Sequence, residues 1–240
     1  MTSYKTLLIL IFSSVIFSCE RVTNPPLPPG VPEGAKKERR GLWSYSSPEG
    51  EQRIYYKDGT LLSLGQSSKI GLRQGEWKTY TLEGHRVASI GKYLNDWRDG
   101  IWKYYDTEGK LYLIVTYAKE PRRDFLITRD YGNENGIYER YFPEGSIEEI
   151  GFFKGGFFEG PITRYHRNKK VSIKGQYKQD LMDGKWQYFY PEGNLEREEN
   201  YKIGKKHGIF RNYHPDGTLY HETTFQEDIE IGTKQIYRKK

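Results

Sequence analysis

From residue 41 onward, short aromatic and apolar runs alternate with glycine-containing polar segments. Counting along the chain, glycines recur every 24 residues, at Gly136, Gly160, Gly184, Gly208 and Gly232. The same arrangement extends upstream, with insertions, to Gly100 and Gly75. A fixed period of this kind indicates a repeat architecture.

Two positions in the first half of each repeat are almost always aromatic. Two residues after the starting glycine (position +2) stand Trp77, Trp102, Tyr138, Ile162, Trp186 and Phe210. At position +5 stand Tyr80, Tyr105, Tyr141, Tyr165, Phe189 and Tyr213. The two positions fall on opposite faces of a regular strand unless a bulge intervenes.

Position +9 is usually a glycine that follows an acidic residue, as in Pro143-Glu144-Gly145. Proline sets φ for the first corner of a tight turn, and glycine adopts the positive φ that closes it, so this segment predicts a hairpin turn. Lys169 occupies position +9 in one repeat. Because asparagine tolerates positive φ, we expect Asn168 to move that turn by one residue.

A second strand follows each turn. Position +11 holds Leu111, Ile147, Val171, Leu195 and Leu219, and position +17 holds Tyr117, Phe153, Tyr177, Tyr201 and Phe225. Their even spacing predicts that both positions lie on one face.

These elements predict an all-β fold, an elongated antiparallel meander of tandem hairpins of about 24 residues that spans residues 41–240. Tyr55 to Gly59 looks like a degenerate unit, and Gly232 begins half a repeat. Aromatic residues make up 15% of the chain. We expect those in equivalent positions of successive repeats to stack along the array in place of an aliphatic core.

The combination G-x-W-x-x-Y, G-x-L and Y-x-x-G resembles the MORN repeat superfamily, and in particular its bacterial variant in YwqK-like antitoxin-type proteins. The resemblance covers residues 41–240 and implies the same extended β-meander. It also implies a protein that acts mostly through contacts with other molecules.

Residues 1–18 have the pattern of a signal peptide. Lys5 supplies a positive charge, Leu7 to Phe17 form a mostly apolar run, and the small residue Ser18 follows. The alternative is a retained membrane span, but the run is shorter than the roughly 20 apolar residues that a span needs.

Cys19, the single cysteine, follows Ser18 directly. Ile16-Phe17-Ser18-Cys19 resembles a loose bacterial lipobox, which implies cleavage before Cys19 and diacylation of its sulfur. Acyl chains would then hold the protein on a membrane of the cell envelope, with the outer membrane or cell surface favoured over the cytoplasm. Ordinary secretion with an unmodified cysteine is the alternative.

Residues 19–40 form a proline-rich and basic linker in this interpretation, which lifts the repeat domain off the bilayer. Its cluster of Lys36, Lys37, Arg39 and Arg40 is either a solvated charge run or a contact for anionic headgroups.

Residues 118–135 interrupt the repeat spacing. Arg122, Arg123 and Phe125 within this insertion form a candidate partner-binding site, because loops on a regular scaffold often carry function and such side chains are common interface anchors. A tolerated insertion without a function is the alternative.

The sequence contains no recognisable catalytic or metal site, and it predicts no enzyme activity, cofactor or small-molecule substrate. The recurrent acids Glu83, Glu108, Glu144, Glu192 and Asp216 all precede turn glycines, and the equivalent positions of successive repeats lie too far apart for a carboxylate pair. His207, His214 and His221 are evenly spaced but fall in different parts of the repeat, without a cysteine or acid cluster beside them.

Nucleic-acid binding is also disfavoured, although the net charge is +6, since basic and acidic residues are mixed within nearly every repeat. We therefore expect a lipid-anchored interaction scaffold that binds an unidentified protein or another copy of itself. The alternatives are an antitoxin or immunity protein that neutralises a toxin, and a module that binds cell-wall carbohydrate through exposed aromatic residues.

Overall fold

A computed structural model describes residues 26–118 and 134–236 of the chain. These residues form one open antiparallel sheet of twenty strands. The first eight strands are β1 (Lys36–Lys37), β2 (Trp43–Ser46), β3 (Glu51–Tyr55), β4 (Leu61–Ser67), β5 (Arg73–Tyr80), β6 (Val87–Leu94), β7 (Trp97–Tyr105) and β8 (Leu111–Tyr117). A single 3₁₀ turn, Arg39–Gly41, lies between β1 and β2.

The second group of strands follows the insertion. It comprises β9 (Glu134–Tyr141), β10 (Ile147–Lys154), β11 (Phe157–Phe158), β12 (Gly160–Tyr165), β13 (Val171–Lys178), β14 (Leu181–Met182), β15 (Gly184–Phe189), β16 (Leu195–Lys202), β17 (Lys205–Lys206), β18 (Gly208–Tyr213), β19 (Leu219–Gln226) and β20 (Ile229–Ile236).

Strands pair with their neighbours in chain order, and every pairing is antiparallel. The short strands β11, β14 and β17 begin pairings that β12, β15 and β18 continue after a break just before the starting glycine. The predicted all-β meander of tandem hairpins is confirmed.

From strand β5 onward, and outside the insertion, two kinds of turn alternate along the sheet. At the hairpin turns, the Gly145 amide donates to the Phe142 carbonyl oxygen at 2.8 Å, and Gly145 has a φ of 87°. The turns between repeats have two successive residues with positive φ, such as Asn95 and Asp96, and are of type I′. The Asp96 carboxylate accepts from the Arg73 amide at 2.8 Å, which ties this turn to strand β5.

The turn at Lys169 keeps the register of the other hairpin turns, so the expected one-residue shift was wrong. Lys169 itself adopts a φ of 66°, and its amide donates to the His166 carbonyl oxygen at 2.8 Å. Asn168 accepts from the Lys170 amide at 3.0 Å through its side chain. This bond closes the turn in place while lysine occupies the left-handed region.

A one-residue bulge follows the hairpin turn in the repeats that start at Gly75, Gly100, Gly136, Gly160, Gly184 and Gly208. In the repeat that starts at Gly184, Tyr188 pairs with Arg197 but Phe189 pairs with Leu195, so that Glu196 has no partner position of its own. The first strand continues regularly, so positions +2 and +5 do lie on opposite faces, as expected for an unbulged strand.

Because of this bulge, positions +11 and +17 lie on opposite faces of the sheet. Leu195 at +11 pairs with Phe189 and shares the face of position +5, whereas Tyr201 at +17 pairs with Gly184 and shares the face of Trp186. The prediction that +11 and +17 share a face was wrong, because the extra residue reverses the alternation between them.

Part of the segment expected to be a linker packs on the first strands. Val31 is buried in a cluster with Trp43 and Tyr55, and β1 pairs with β2. A β-carbon added at Gly59 would lie 2.1 Å from the Pro29 carbonyl oxygen. The ordered body therefore begins before residue 41.

Candidate interaction surface

The tryptophans at position +2 define one side of the sheet, called here the aromatic face. Trp77, Trp102 and Trp186 are the largest fully buried side chains among the described residues. A single-layer sheet has no second layer to cover them, so their burial must come from the sheet itself.

Glycines on neighbouring strands explain this burial. A β-carbon added at Gly91 would lie 2.2 Å from the ring of Trp102, and one added at Gly175 would lie 2.3 Å from the ring of Trp186. Gly65 has the same relation to Trp77. Each indole ring thus lies against backbone that carries no side chain.

Tyrosines of the second strand, Tyr93 and Tyr117, fill the spaces between the tryptophans. The ring centroids of Trp77 and Tyr93 are 6.0 Å apart, those of Tyr93 and Trp102 are 4.9 Å apart, and those of Trp102 and Tyr117 are 6.3 Å apart. All three pairs are edge-to-face, the arrangement that the charge distribution of aromatic rings favours. Aromatic contacts therefore run along the array as expected. They join position +2 to a tyrosine of the second strand edge to face, whereas the prediction was stacking between equivalent positions.

Polar groups on the aromatic face bond mainly to one another. Arg98 lies over the ring of Trp102 at 4.9 Å and donates to the Tyr117 hydroxyl at 3.1 Å. The hydroxyls of Tyr104 and Tyr117 are 3.0 Å apart. Burial, reinforced by neighbouring Tyr117, raises the pKa of Tyr104, so its hydroxyl stays protonated.

The buried carboxylate of Glu149 lies between two arginines of the same face. It pairs with Arg164 and has Arg140 at 3.7 Å. Burial, together with the Glu149 charge, raises the pKa of Tyr138 to about 12. The aromatic face thus satisfies its own charges and supplies the core of the protein.

The opposite side, called here the outer face, carries the candidate interaction surface. Ile101, Ile137 and Phe152 have exposed fractions of 59%, 44% and 39%. Cross-strand neighbours add half-buried isoleucines. Together these residues form the central patch, which consists of Ile90, Ile101, Ile114, Ile137, Ile150 and Phe152.

In the later repeats, charged side chains take the place of apolar ones on the outer face. Lys185 lies 3.3 Å from Glu198, and Arg211 lies 2.6 Å from Glu222 and 3.9 Å from Glu198. These residues form the charged patch, in which opposite charges stand on adjacent strands. An apolar area on the surface of one part of a regular sheet is typical of a binding site.

Shallow surface grooves run between neighbouring repeats at the hairpin-turn end of the outer face. One is lined by Ile147, Tyr165, Arg167 and Lys169, and a similar one by Val87, Ile90 and Tyr105. The recurrent acids stand at exposed turns, with Glu144 paired to Arg167 at 2.8 Å. Within residues 26–118 and 134–236, no group of three or more metal-ligating side chains comes together.

Several predicted site residues lie outside the described residues. These are Cys19 with the signal peptide before it, and Arg122, Arg123 and Phe125 in the insertion. None of the described segments is a helix of the length and apolarity needed to cross a membrane.

Five segments of the chain match the family described as MORN repeat variant, namely residues 48–67, 98–119, 134–154, 182–202 and 206–227. These five segments are similar to MORN repeats. No curated protein matches the chain. MORN repeats are typical of proteins that bind other molecules and are not enzymes.

Two stretches between the matched segments have the same strand pairing as the matched ones. In residues 68–97, Thr79 pairs with Ser89 and Tyr80 with Val87, which is the same bulged register as in the matched repeats. Residues 155–181 show it again. The repeats therefore continue through segments that the family match leaves out.

Sequence reasoning did not single out the central patch. Position +1 holds isoleucine in Ile101, Ile137 and Ile209, which is a signal that the repeat frame contains. These isoleucines indicate a binding surface only if the tryptophan face is buried and the opposite face is exposed. The sequence alone did not determine which face is exposed.

Proposed function

We propose that this protein is a lipid-anchored, non-enzymatic protein-interaction scaffold of the bacterial cell envelope. The observation that carries the interaction role is the exposed central patch on one face of a sheet whose other face is filled by its own rings. A rigid open sheet presents such a patch without any hinge or cleft.

The anchor rests on the sequence. Cys19 stands one residue after an apolar run of signal-peptide length, and acyl chains on its sulfur would hold the repeat domain at a membrane surface. Two or more chains are needed for stable anchoring, because a single one binds reversibly.

The burial of the tryptophans argues against the alternative of carbohydrate binding. Sugar-binding modules stack exposed aromatic rings on the ligand, whereas Trp77, Trp102 and Trp186 are 2%, 1% and 2% exposed. The rings best suited to stacking are therefore occupied within the sheet, which favours the protein scaffold.

Metabolic labelling with an acyl precursor tests the anchor. We expect label on the wild-type chain and none on Cys19→Ser, which should move from the membrane fraction to the soluble fraction. Equal labelling of both chains, or a wild-type chain released in soluble form, contradicts the anchor.

Crosslinking in the native envelope tests the scaffold. We expect the wild-type chain to be captured with a protein partner or with a second copy. Part of this proposal is that Arg122, Arg123 and Phe125 contribute to binding, so their triple alanine variant should lose capture at an unchanged melting temperature. Undiminished capture would assign the insertion a spacer role.

A further inference from the structure

One cross-strand row of the outer face has an unusual order. Ile90 pairs with Lys103, Lys103 with Ile114, Ile114 with Glu139, and Glu139 with Ile150. The row thus runs across strands β6 to β10 and places the lysine and the glutamate at equal distances on either side of Ile114.

The two charges of this row do not pair with each other within the chain. Two strand spacings separate Lys103 from Glu139, which is about 10 Å. Within the part of the chain that the structure describes, Lys103 has no ion pair. Glu139 accepts a hydrogen bond from the Tyr141 hydroxyl, so its carboxylate is held in place.

The same row differs in the later repeats, where charges stand next to each other. Glu198 pairs with Arg211, and Arg211 pairs with Glu222, on successive strands. Charges are therefore balanced inside the chain in the charged patch and left unbalanced around the central patch.

The order of the row is self-complementary under a two-fold rotation. An axis parallel to the strands and passing over Ile114 places strand β7 of one copy over strand β9 of another. Lys103 then faces Glu139 of the second copy, and Ile90 faces Ile150 of the second copy. Sheets packed face to face lie about 10 Å apart, within reach of both side chains.

The next cross-strand row of the outer face is also compatible with this two-fold rotation. Ile101 pairs with Thr116 on β8, and Ile137 follows on β9. The same rotation places Ile101 over Ile137 of the second copy, so that two of the most exposed apolar side chains of the patch cover each other. The interface is isologous, because the same surface serves both copies.

We propose that the central patch binds a second copy of this chain face to face, with Lys103 of each copy paired to Glu139 of the other. The apolar residues supply the buried area, and the two symmetric ion pairs fix the register and disfavour other partners. This inference rests on the proposed scaffold function and deepens it, since it assigns one surface and one occupant.

Charge reversal tests the proposal on the full chain in a mild detergent. Sedimentation velocity should show a dimer for the wild type. Lys103→Glu and Glu139→Lys should each weaken the dimer about a hundredfold, because each places like charges opposite one another twice.

Mixing the two single variants is the decisive measurement. Lys103→Glu and Glu139→Lys together form two attractive pairs across the interface, so the mixture should yield a heterodimer although each variant alone is monomeric. The double variant, which exchanges the two charges within one chain, should dimerise like the wild type.

The control is Lys202→Glu, since Lys202 is an exposed lysine of the outer face on strand β16, far from the central patch. It should leave the dimer unchanged. Melting temperatures near that of the wild type show that the variants are folded.

A monomeric wild type overturns the proposal, even if the chain captures another protein through this face. Dimers that persist in both single variants, or a mixture that stays monomeric, also overturn it. Acyl labelling and membrane retention are independent of these results, so failure of the dimer is distinguishable from failure of the anchored scaffold.

Discussion

Ile101 and Trp102 are adjacent in the chain and lie on opposite faces of the sheet, and they show what each face does. Trp102 is 1% exposed and lies against Gly91, whereas Ile101 is 59% exposed. The two-residue alternation of a strand puts them on opposite faces. Among the described residues, the glycines that accept large rings lie on the aromatic face. The aromatic face therefore carries stability, and the outer face is available for binding.

The largest expected effect separates these two neighbours. Trp102→Ala should destabilise the protein by about 3–5 kcal/mol, because it removes a buried aromatic ring. Ile101→Ala should change the free energy of unfolding by less than about 0.5 kcal/mol, since the side chain is largely exposed. Urea unfolding followed by tryptophan fluorescence and circular dichroism measures both. Similar losses for the two variants would contradict the division of roles.

The glycines beneath the rings sharpen the comparison. Gly91→Ala should cost about 1–3 kcal/mol, because the new methyl group would meet the Trp102 ring at 2.2 Å. The matched control is Gly151→Ala at the equivalent repeat position, where the nearest side-chain atom would be 3.6 Å away. Thermal unfolding should show a clear loss for the first variant only. Equal melting temperatures would mean that the ring moves aside at little cost.

A residue in a hairpin turn, which belongs to neither face, measures how much backbone conformation alone contributes to stability. Lys169 has a φ of 66° at a position where other repeats carry glycine. Lys169→Gly should stabilise the protein by roughly 1 kcal/mol, since glycine adopts this conformation without a steric penalty. Lys170→Gly is the control and should not stabilise. A lower melting temperature for Lys169→Gly would show that the lysine side chain makes a favourable contact that outweighs its strain.

The smallest expected effect concerns pH and the charged patch. Burial alone would raise the pKa of Glu198, but hydrogen bonds from Gln187 and Lys185 outweigh it and lower the pKa below its usual 4.5. A carboxylate whose pKa is lower in the folded than in the unfolded state stabilises the protein at pH values above the unfolded-state pKa. This stabilisation is lost as the pH falls through the folded-state pKa.

Glu198→Gln should therefore lower the melting temperature at pH 7, and the difference from the wild type should shrink towards pH 3. Differential scanning calorimetry at several pH values measures it. A difference that is the same at both ends of this range would show that the carboxylate charge contributes nothing.

The sequence by itself determined the repeat, the hairpin turns and the all-β meander. Glycine at position +9 and aromatic residues at +2, +5 and +17 act locally, through backbone conformation and alternation, so their pattern is readable without a structure. The turn at Lys169 was misplaced because an asparagine side chain and a lysine backbone together satisfy it, which composition does not reveal.

Only the tertiary structure decided which residues share a face and which face stays open. The bulge at Glu196 and its counterparts reverses the alternation within the second strand, and no sequence signal marked it. Burial of Trp186 depends on Gly175, which belongs to the preceding repeat. The central patch likewise joins side chains from five strands, so it exists only once the register of those strands is fixed.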